Sequence, residues 1–235
     1  MSSPQSILVT GVTGQLGESI RCIADQFPQY KMVFARRADI DLSDLKSIQN
    51  YFQHHTFDVI INCAAYTAVD QAESEPELAD AINHLAVKKL AEIANQQQAK
   101  LIHISTDYVF NGQQYQPYVE AASVDPINIY GVTKLAGEQA VLQQMRHNAF
   151  IIRTSWVYSE FGSNFVKTML KLAEQRSHLT VISDQVGVPT YAPDLAKTIM
   201  IIITSELFRQ KNVNSALYHY SNEGVCSWYD FAKAI

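Results

Sequence analysis

Ile7-Leu8-Val9-Thr10-Gly11-Val12-Thr13-Gly14-Gln15-Leu16-Gly17 decides the fold. An apolar run suited to a buried strand leads directly into three glycines within seven residues, and a helical segment, Glu18 to Phe27, is expected to follow. Strand, glycine turn and helix make the opening of a dinucleotide-binding βαβ unit. Glycine serves there in a tight turn, in the close approach of backbone to a pyrophosphate, and in the packing of helix on strand. In isolation the same residues could form a glycine-rich loop that binds nothing, so the weight falls on their context.

The context is an alternation of short apolar strands with amphipathic segments. Lys31 to Ala35, Phe57 to Asn62, Lys100 to Ser105 and Ala149 to Thr154 read as strands. The clearest helix should start near Pro76, with Leu78, Ile82, Leu85, Leu90 and Ile93 on its buried side. Strands apolar on both faces, separated by helices, predict a Rossmann-like, doubly wound parallel α/β sheet. Residues 1–155 are expected to form this dinucleotide-binding domain. Residues 156–235 are expected to form a smaller substrate-binding lobe, with some segments returning to the first domain.

Composition narrows the function classes. The 235 residues are 47% hydrophobic and 17% charged, with 18 Lys and Arg against 23 Asp and Glu. A net charge of -5 without long runs of either sign argues against a nucleic-acid partner. Cys22, Cys63 and Cys226 lack metal or redox spacing and read as reduced core thiols, which points to the cytoplasm. The polar stretch Met1 to Gln5 lacks the features of a leader. Ile199-Met200-Ile201-Ile202-Ile203 is too short for a membrane span and reads as a buried turn of helix. The histidines show no metal-ligand spacing, and His103, in a buried strand, reads as a satisfied core residue.

In a doubly wound sheet the ligand lies beyond the carboxyl ends of the strands. Arg36 and Arg37 follow the second strand, where an arginine can accommodate a 2′-phosphate, so NADPH is expected, with NADH as the alternative. Asp41-Leu42 could border the adenine, while Ser43 and Asp44 nearby could cap a helix. The small residues Ala64 and Ala65, followed by Tyr66 and Thr67, would let backbone pass close to a cofactor. After the fourth strand stands Ser105-Thr106-Asp107-Tyr108-Val109-Phe110. Tyr130 and Lys134, four residues apart, share one helical face and could meet a nicotinamide ribose together.

The glycine turn, the Ser-Thr loop and the Tyr-x-x-x-Lys pair together resemble the extended short-chain dehydrogenase/reductases. Within that superfamily, five ordered segments are similar to those of the dTDP-4-dehydrorhamnose reductases. They are Gly14-Gln15-Leu16-Gly17, Ala64-Ala65-Tyr66-Thr67-Ala68-Val69-Asp70, Ser105-Thr106-Asp107-Tyr108-Val109-Phe110, Arg153-Thr154-Ser155-Trp156-Val157-Tyr158 and Ser227-Trp228-Tyr229-Asp230-Phe231-Ala232. The resemblance implies hydride transfer from a nicotinamide to the C4 ketone of dTDP-4-dehydro-L-rhamnose, with proton delivery to the resulting alkoxide to give dTDP-L-rhamnose. The cofactor would lie along Gly11, Gly14, Gln15, Leu16 and Gly17, near Arg36, Arg37, Asp41 and Leu42, then past Ala64, Ala65, Tyr66 and Thr67 to Tyr130 and Lys134.

Tyr130 is then the proton donor. A tyrosine titrates near 10, so bringing it to neutrality needs a shift of ~3 units, roughly 4 kcal/mol, which the Lys134 cation and the cofactor charge are expected to supply. Thr106 would hydrogen-bond the carbonyl oxygen where negative charge develops. The resemblance further implies that Asp107 binds sugar hydroxyls, that Trp156 faces the nucleotide-sugar, and that Gln185 and Thr190 lie near the substrate. Some family members carry Mg at a homodimer interface. This chain offers no sequence evidence for the metal, and a homodimer is expected from the resemblance alone. The family also continues for some dozens of residues past Ser227–Ala232, so the chain is expected to be incomplete where it stops, in mid-helix, at Ile235. The alternatives are a related nucleotide-sugar reductase or epimerase, and a non-catalytic NADP-binding subunit of the kind that regulates methionine adenosyltransferase.

Overall fold

The computed structural model describes residues 5–235, so Met1 to Pro4 lie outside it. The chain opens with β1 (Gln5–Thr10), the glycine turn, α1 (Gln15–Ile23), β2 (Tyr30–Phe34), α2 (Leu45–Gln53) and β3 (Val59–Asn62). Two short helices, α3 (Val69–Ala72) and α4 (Pro76–Asp80), lead through a π turn at Ala81–Leu85 into α5 (Ala86–Gln97), β4 (Lys100–Thr106), α6 (Ile129–Gln144) and β5 (Ala149–Thr154). Then come β6 (Val157–Tyr158), α7 (Phe165–Gln175), β7 (Val186–Gly187), β8 (Thr190–Tyr191), α8 (Ala192–Thr204), α9 (Glu206–Arg209), β9 (Ala216–His219), β10 (Cys226–Ser227) and α10 (Trp228–Ala234).

Six strands form one parallel sheet in the order β2-β1-β3-β4-β5-β9. This is the doubly wound architecture expected from the sequence. Alternate residues of the apolar strands feed opposite layers, as a pleated backbone requires. Leu8, Ile60, Leu101 and Ile151 pack against Ile48, Phe52, Leu90 and Val141 of α2, α5 and α6 and against Met145 just past α6. Ile7, Val9, Ile61, Phe150 and Ile152 face the other way, toward Leu16, Ile20, Leu195, Ile199 and Ile203 of α1 and α8. The chain leaves β1 toward β2 and returns to β3 on the other side. That reversal opens a crevice between the ends of β1 and β3.

Several local expectations need correction. The helix does start at Pro76, but the π turn inserts an extra residue and rotates the apolar stripe. Leu90 and Ile93 are buried, whereas Leu78 and Leu85 are exposed. The helix after the glycines begins at Gln15, inside the motif, three residues earlier than expected. Cys22 is exposed, because it lies on the far side of α1 from Leu16, Ile20 and Ile23. Cys63 and Cys226 are partly buried. The isoleucine run belongs to α8, where Ile199, Met200 and Ile203 are buried and Ile201 faces outward. Among the described residues no helix is long and apolar enough to cross a membrane.

Candidate active site

A cleft of about 740 Å³ runs along the carboxyl ends of β1 to β5. Its lining includes Gly11 to Leu16, Arg36, Arg37, Asp41, Leu42, Ala64, Ala65, Thr67, Thr106, Asp107, Tyr130, Lys134 and Trp156. A smaller groove of about 210 Å³ between α7 and α10 is lined mostly by apolar side chains, with Lys233 and Tyr229 as its ionisable groups. The candidate residues singled out in the sequence gather in the larger cleft.

The glycine turn is built by close approach. Gly11 has φ +69°, and a Cβ on it would stand 2.5 Å from the Ala64 backbone nitrogen. Gly14 caps α1 in an extended conformation with no side chain on the first-turn N–H groups, which leaves donors at the positive end of the helix for an anion. Glycine at the contact point, open helix donors and small residues opposite fit a dinucleotide pyrophosphate. The Gln15 side chain works elsewhere. Its amide donates to the Val157 carbonyl (3.0 Å), and its oxygen accepts from Ser159 (3.1 Å) and Asn164 (2.9 Å), tying the glycine turn to the segment that enters α7.

At the β2 end of the cleft, Arg37 pairs with Asp41 (3.3 Å), whose carboxyl is held below its usual range first by the Ser43 hydroxyl. Arg36 has no carboxylate partner among the described residues, which makes it the freer guanidinium for a phosphate. Asp44, rather than Ser43, caps α2 by accepting from the Lys46 N–H (2.9 Å).

The end of the cleft near β4 and β5 is polar and mostly buried. Asn128 caps α6, accepting from the Gly131 N–H (2.8 Å), and so sets Tyr130 on the first turn. Tyr130 packs edge-on against Tyr108, and burial pushes its hydroxyl up to about 12, with the Thr106 hydroxyl opposing the rise. Lys134 is buried, donates to the Ile104 carbonyl (2.6 Å), and is pushed down to about 8 by burial, with Glu138 opposing. The expected lowering of the tyrosine by the lysine is thus not what the protein alone provides. The ammonium is engaged with backbone, and burial of the phenol dominates. Thr106 accepts from the Tyr108 N–H and donates to Asp107, both at 3.2 Å. Burial raises the Asp107 carboxyl to about 6.

Three expected contacts lie off the cleft wall. Tyr66 turns back to give its hydroxyl to Glu75 (2.8 Å) and packs with Ala72, Ala79 and Tyr130, off the lining of the cleft. Thr190 is fully buried and bonds Thr154 (3.2 Å), and Gln185 is exposed away from the cleft. His103 is buried but only half satisfied. Its Nδ1 meets the Asn62 amide (3.1 Å), Nε2 has no partner, and burial together with Lys134 keeps it well below its ordinary range.

Sequence reasoning missed the supports of the site. Asn83, on the π turn, accepts from the Tyr66 N–H (2.9 Å) and donates to the Tyr66 carbonyl (3.1 Å) and Thr133 (3.2 Å), joining the β3 loop to α6. Glu138 receives a bidentate grip from Arg153 (2.8 and 2.7 Å) and a hydrogen bond from Ser105 (2.5 Å), all buried. The remaining Arg153 nitrogen has no hydrogen-bond partner, but its guanidinium lies 5.0 Å from the Phe110 ring centre. An arginine inside a strand read as buried was the available signal, since such a charge demands a counter-ion.

Trp156 takes φ +48°, a conformation that costs a residue with a side chain on the order of 1–3 kcal/mol. The surrounding stitches hold it there. Ser155 donates to the Val188 carbonyl (2.6 Å), the Thr190 N–H donates to the Trp156 carbonyl (3.2 Å), and the indole stacks on Trp228 with ring centres 3.5 Å apart.

Residues 5–235 match the family described as the RmlD substrate binding domain. The chain is 43% identical to the spore coat polysaccharide biosynthesis protein SpsK of Bacillus subtilis, covering 97% of this chain and 77% of that protein. It is likewise 43% identical to the dTDP-4-dehydrorhamnose reductase of Salmonella typhimurium, covering 98% of this chain and 77% of that one. A crystal structure of dTDP-4-dehydrorhamnose reductase from Bacillus anthracis in complex with NADP superposes with a TM-score of 0.90 at 39% identity, over 100% of this chain and 80% of that chain.

Proposed function

The chain belongs to the RmlD substrate binding domain family, and from that premise we propose that it reduces the C4 ketone of dTDP-4-dehydro-L-rhamnose to dTDP-L-rhamnose with NADPH. One observation carries the reading. Thr106, Tyr130 and Lys134 line the same cleft as the glycine turn, at the end away from Arg36 and Arg37. The bound reduced nicotinamide supplies a hydride. The rest of the chemistry belongs to the protein.

Gly11, Gly14 and the open first turn of α1 would receive the pyrophosphate, and Arg36, with no carboxylate partner among the described residues, would meet a 2′-phosphate. Thr106 and Tyr130 place two hydroxyls at the substrate oxygen, where charge grows as the ketone is reduced. With its hydroxyl near 12, Tyr130 is a neutral phenol at pH 7 and carries the proton the reaction needs. The developing alkoxide is a far stronger base than the phenolate, comparable with hydroxide, so proton delivery runs downhill. Lys134 needs no role as a proton source in this direction. Its ammonium anchors α6 to Ile104 and supplies donors for the ribose. Asp107, ionised above pH about 6, accepts hydrogen bonds from sugar hydroxyls. Trp156 offers an aromatic face to the sugar.

The test is NADPH and NADH oxidation with enzymatically made dTDP-4-dehydro-L-rhamnose, alongside UDP- and GDP-4-keto sugars, with the product identified by NMR. Turnover of the dTDP sugar with NADPH ahead of NADH is expected. Turnover confined to another nucleotide's sugar would reassign the substrate, and NADH ahead of NADPH would remove Arg36 from cofactor selection.

A further inference from the structure

We propose that Gly187 and Trp228 are positioning residues for the substrate: they fix the Trp156 indole at the sugar end of the cleft and thereby set the affinity for the nucleotide-sugar. The proposal rests on the functional reading above and adds to it two residues that do not line the cleft.

The geometry is that of a clasp. The strands β7 and β10 pair antiparallel, with Gly187 opposite Cys226 and Val186 opposite Ser227. That ribbon delivers two groups to one place. Gly187 meets the indole so closely that a Cβ on it would stand 2.6 Å from Cε2 and Cζ2 of Trp156 and 3.0 Å from Nε1. Trp228, the residue after β10, stacks on the same indole at 3.5 Å with a 13° tilt. Room exists for an indole beside Gly187, but not for an indole and a methyl group. The base of the ring is fixed independently, because the Trp156 backbone holds its left-handed conformation through the Ser155 and Thr190 hydrogen bonds. A displaced ring therefore has to swing by its side-chain torsions, along the wall it shares with Thr106, Asp107 and Tyr130.

The arm that carries Trp228 is itself organised for this. Ser227 caps α10 in a reciprocal pair with Asp230, and Phe165 and Phe231 pack beside Trp228 at 4.6 and 6.5 Å between ring centres. The chain holds two tryptophans, and both are in this stack. Emission excited at the red edge, where tyrosine does not absorb, reports on the clasp alone.

The experiment measures steady-state kinetics of the wild type, Gly187→Ala, Trp228→Ala and Trp228→Phe, with titrations of tryptophan emission by dTDP-L-rhamnose. Both alanine variants are expected to raise KM for dTDP-4-dehydro-L-rhamnose about five- to tenfold, the size of a lost aromatic contact, with KM for NADPH within about twofold of wild type. Trp228→Phe restores most of the affinity. The emission midpoint of Gly187→Ala moves by the same factor as its KM. Where Gly187→Ala does not fold, Trp228→Ala decides, since it adds no atoms. An unchanged sugar KM in the alanine variants overturns the proposal, as does an equal loss for both substrates, which would mark a general structural role. A wild type that ignores this sugar overturns the functional reading instead.

Discussion

The two walls of the cleft are made in different ways. On the sheet side, α6 buries Tyr130, Thr133, Lys134, Gly137, Glu138, Ala140 and Val141, and its charged groups are answered by Ile104, Ser105 and Arg153. On the other side, α7 and α10 bury no residue fully, and the strands β6, β7, β8 and β10 are two residues long. That wall stands on aromatic stacking, on Gln15, and on a few side-chain to backbone hydrogen bonds. The buried charges of the floor are held by buried partners, whereas Trp156 on the facing wall is held by stacking and a few hydrogen bonds.

The comparison can be broken most forcefully at its chemical end. Thr106→Val should fold and bind NADPH yet lose about 10²- to 10³-fold in kcat, the loss typical of a missing oxyanion donor; near-normal kcat removes Thr106 from the mechanism. Glu138→Gln leaves Arg153 buried without its carboxylate and should lower the unfolding free energy by about 3–5 kcal/mol in denaturant titration. A matching truncation on the lean wall, Leu170→Ala, removes a half-exposed side chain and should change stability by less than about 1 kcal/mol. Equal losses at the two sites would abolish the contrast between the walls.

A subtler probe is the charge of Lys134. Burial lowers it from 10.5 to about 8, so folding disfavours the ammonium. The folded pKa is the depressed one. The penalty is therefore fully present below pH 8 and fades as pH rises from about 8 toward 10.5. Lys134→Met should accordingly raise apo-protein stability by roughly 1–3 kcal/mol at pH 7, with an advantage that shrinks through that window. An advantage that stays constant from pH 7 to 10 would place the ammonium in a better-solvated setting. The smallest effect on turnover belongs to Gln15→Leu, which cuts three part-buried hydrogen bonds across the cleft. It should raise the sugar KM about two- to fivefold and lower Tm by a few degrees.

The sheet-side wall was largely legible in the sequence. Ile7 to Gly17 and four further apolar runs announced their strands, and the four-residue spacing of Tyr130 and Lys134 needed nothing beyond helical geometry. The sixth strand of the sheet, Ala216–His219, was missed because it has four residues and no run of β-branched side chains. The π turn escaped because its effect is a change of phase, so Leu78 and Leu85 matched a helical stripe that the backbone does not keep. The lean wall was hardest to read. Gln15 meets Val157 across 142 positions, and Trp156 meets Gly187 and Trp228 through a ribbon of two-residue strands that leaves no periodic trace. The motif containing Trp156 could be recognised, but not the residues that hold its ring.

Tyr130→Phe removes one oxygen from the packed floor and leaves both binding walls in place. Its kcat with NADPH and dTDP-4-dehydro-L-rhamnose should fall by about 10²- to 10⁴-fold, as expected for the loss of a general acid, while its Kd for NADPH stays within about threefold of wild type. Turnover within a few fold of wild type would contradict the account, since the proton would then reach the sugar from elsewhere.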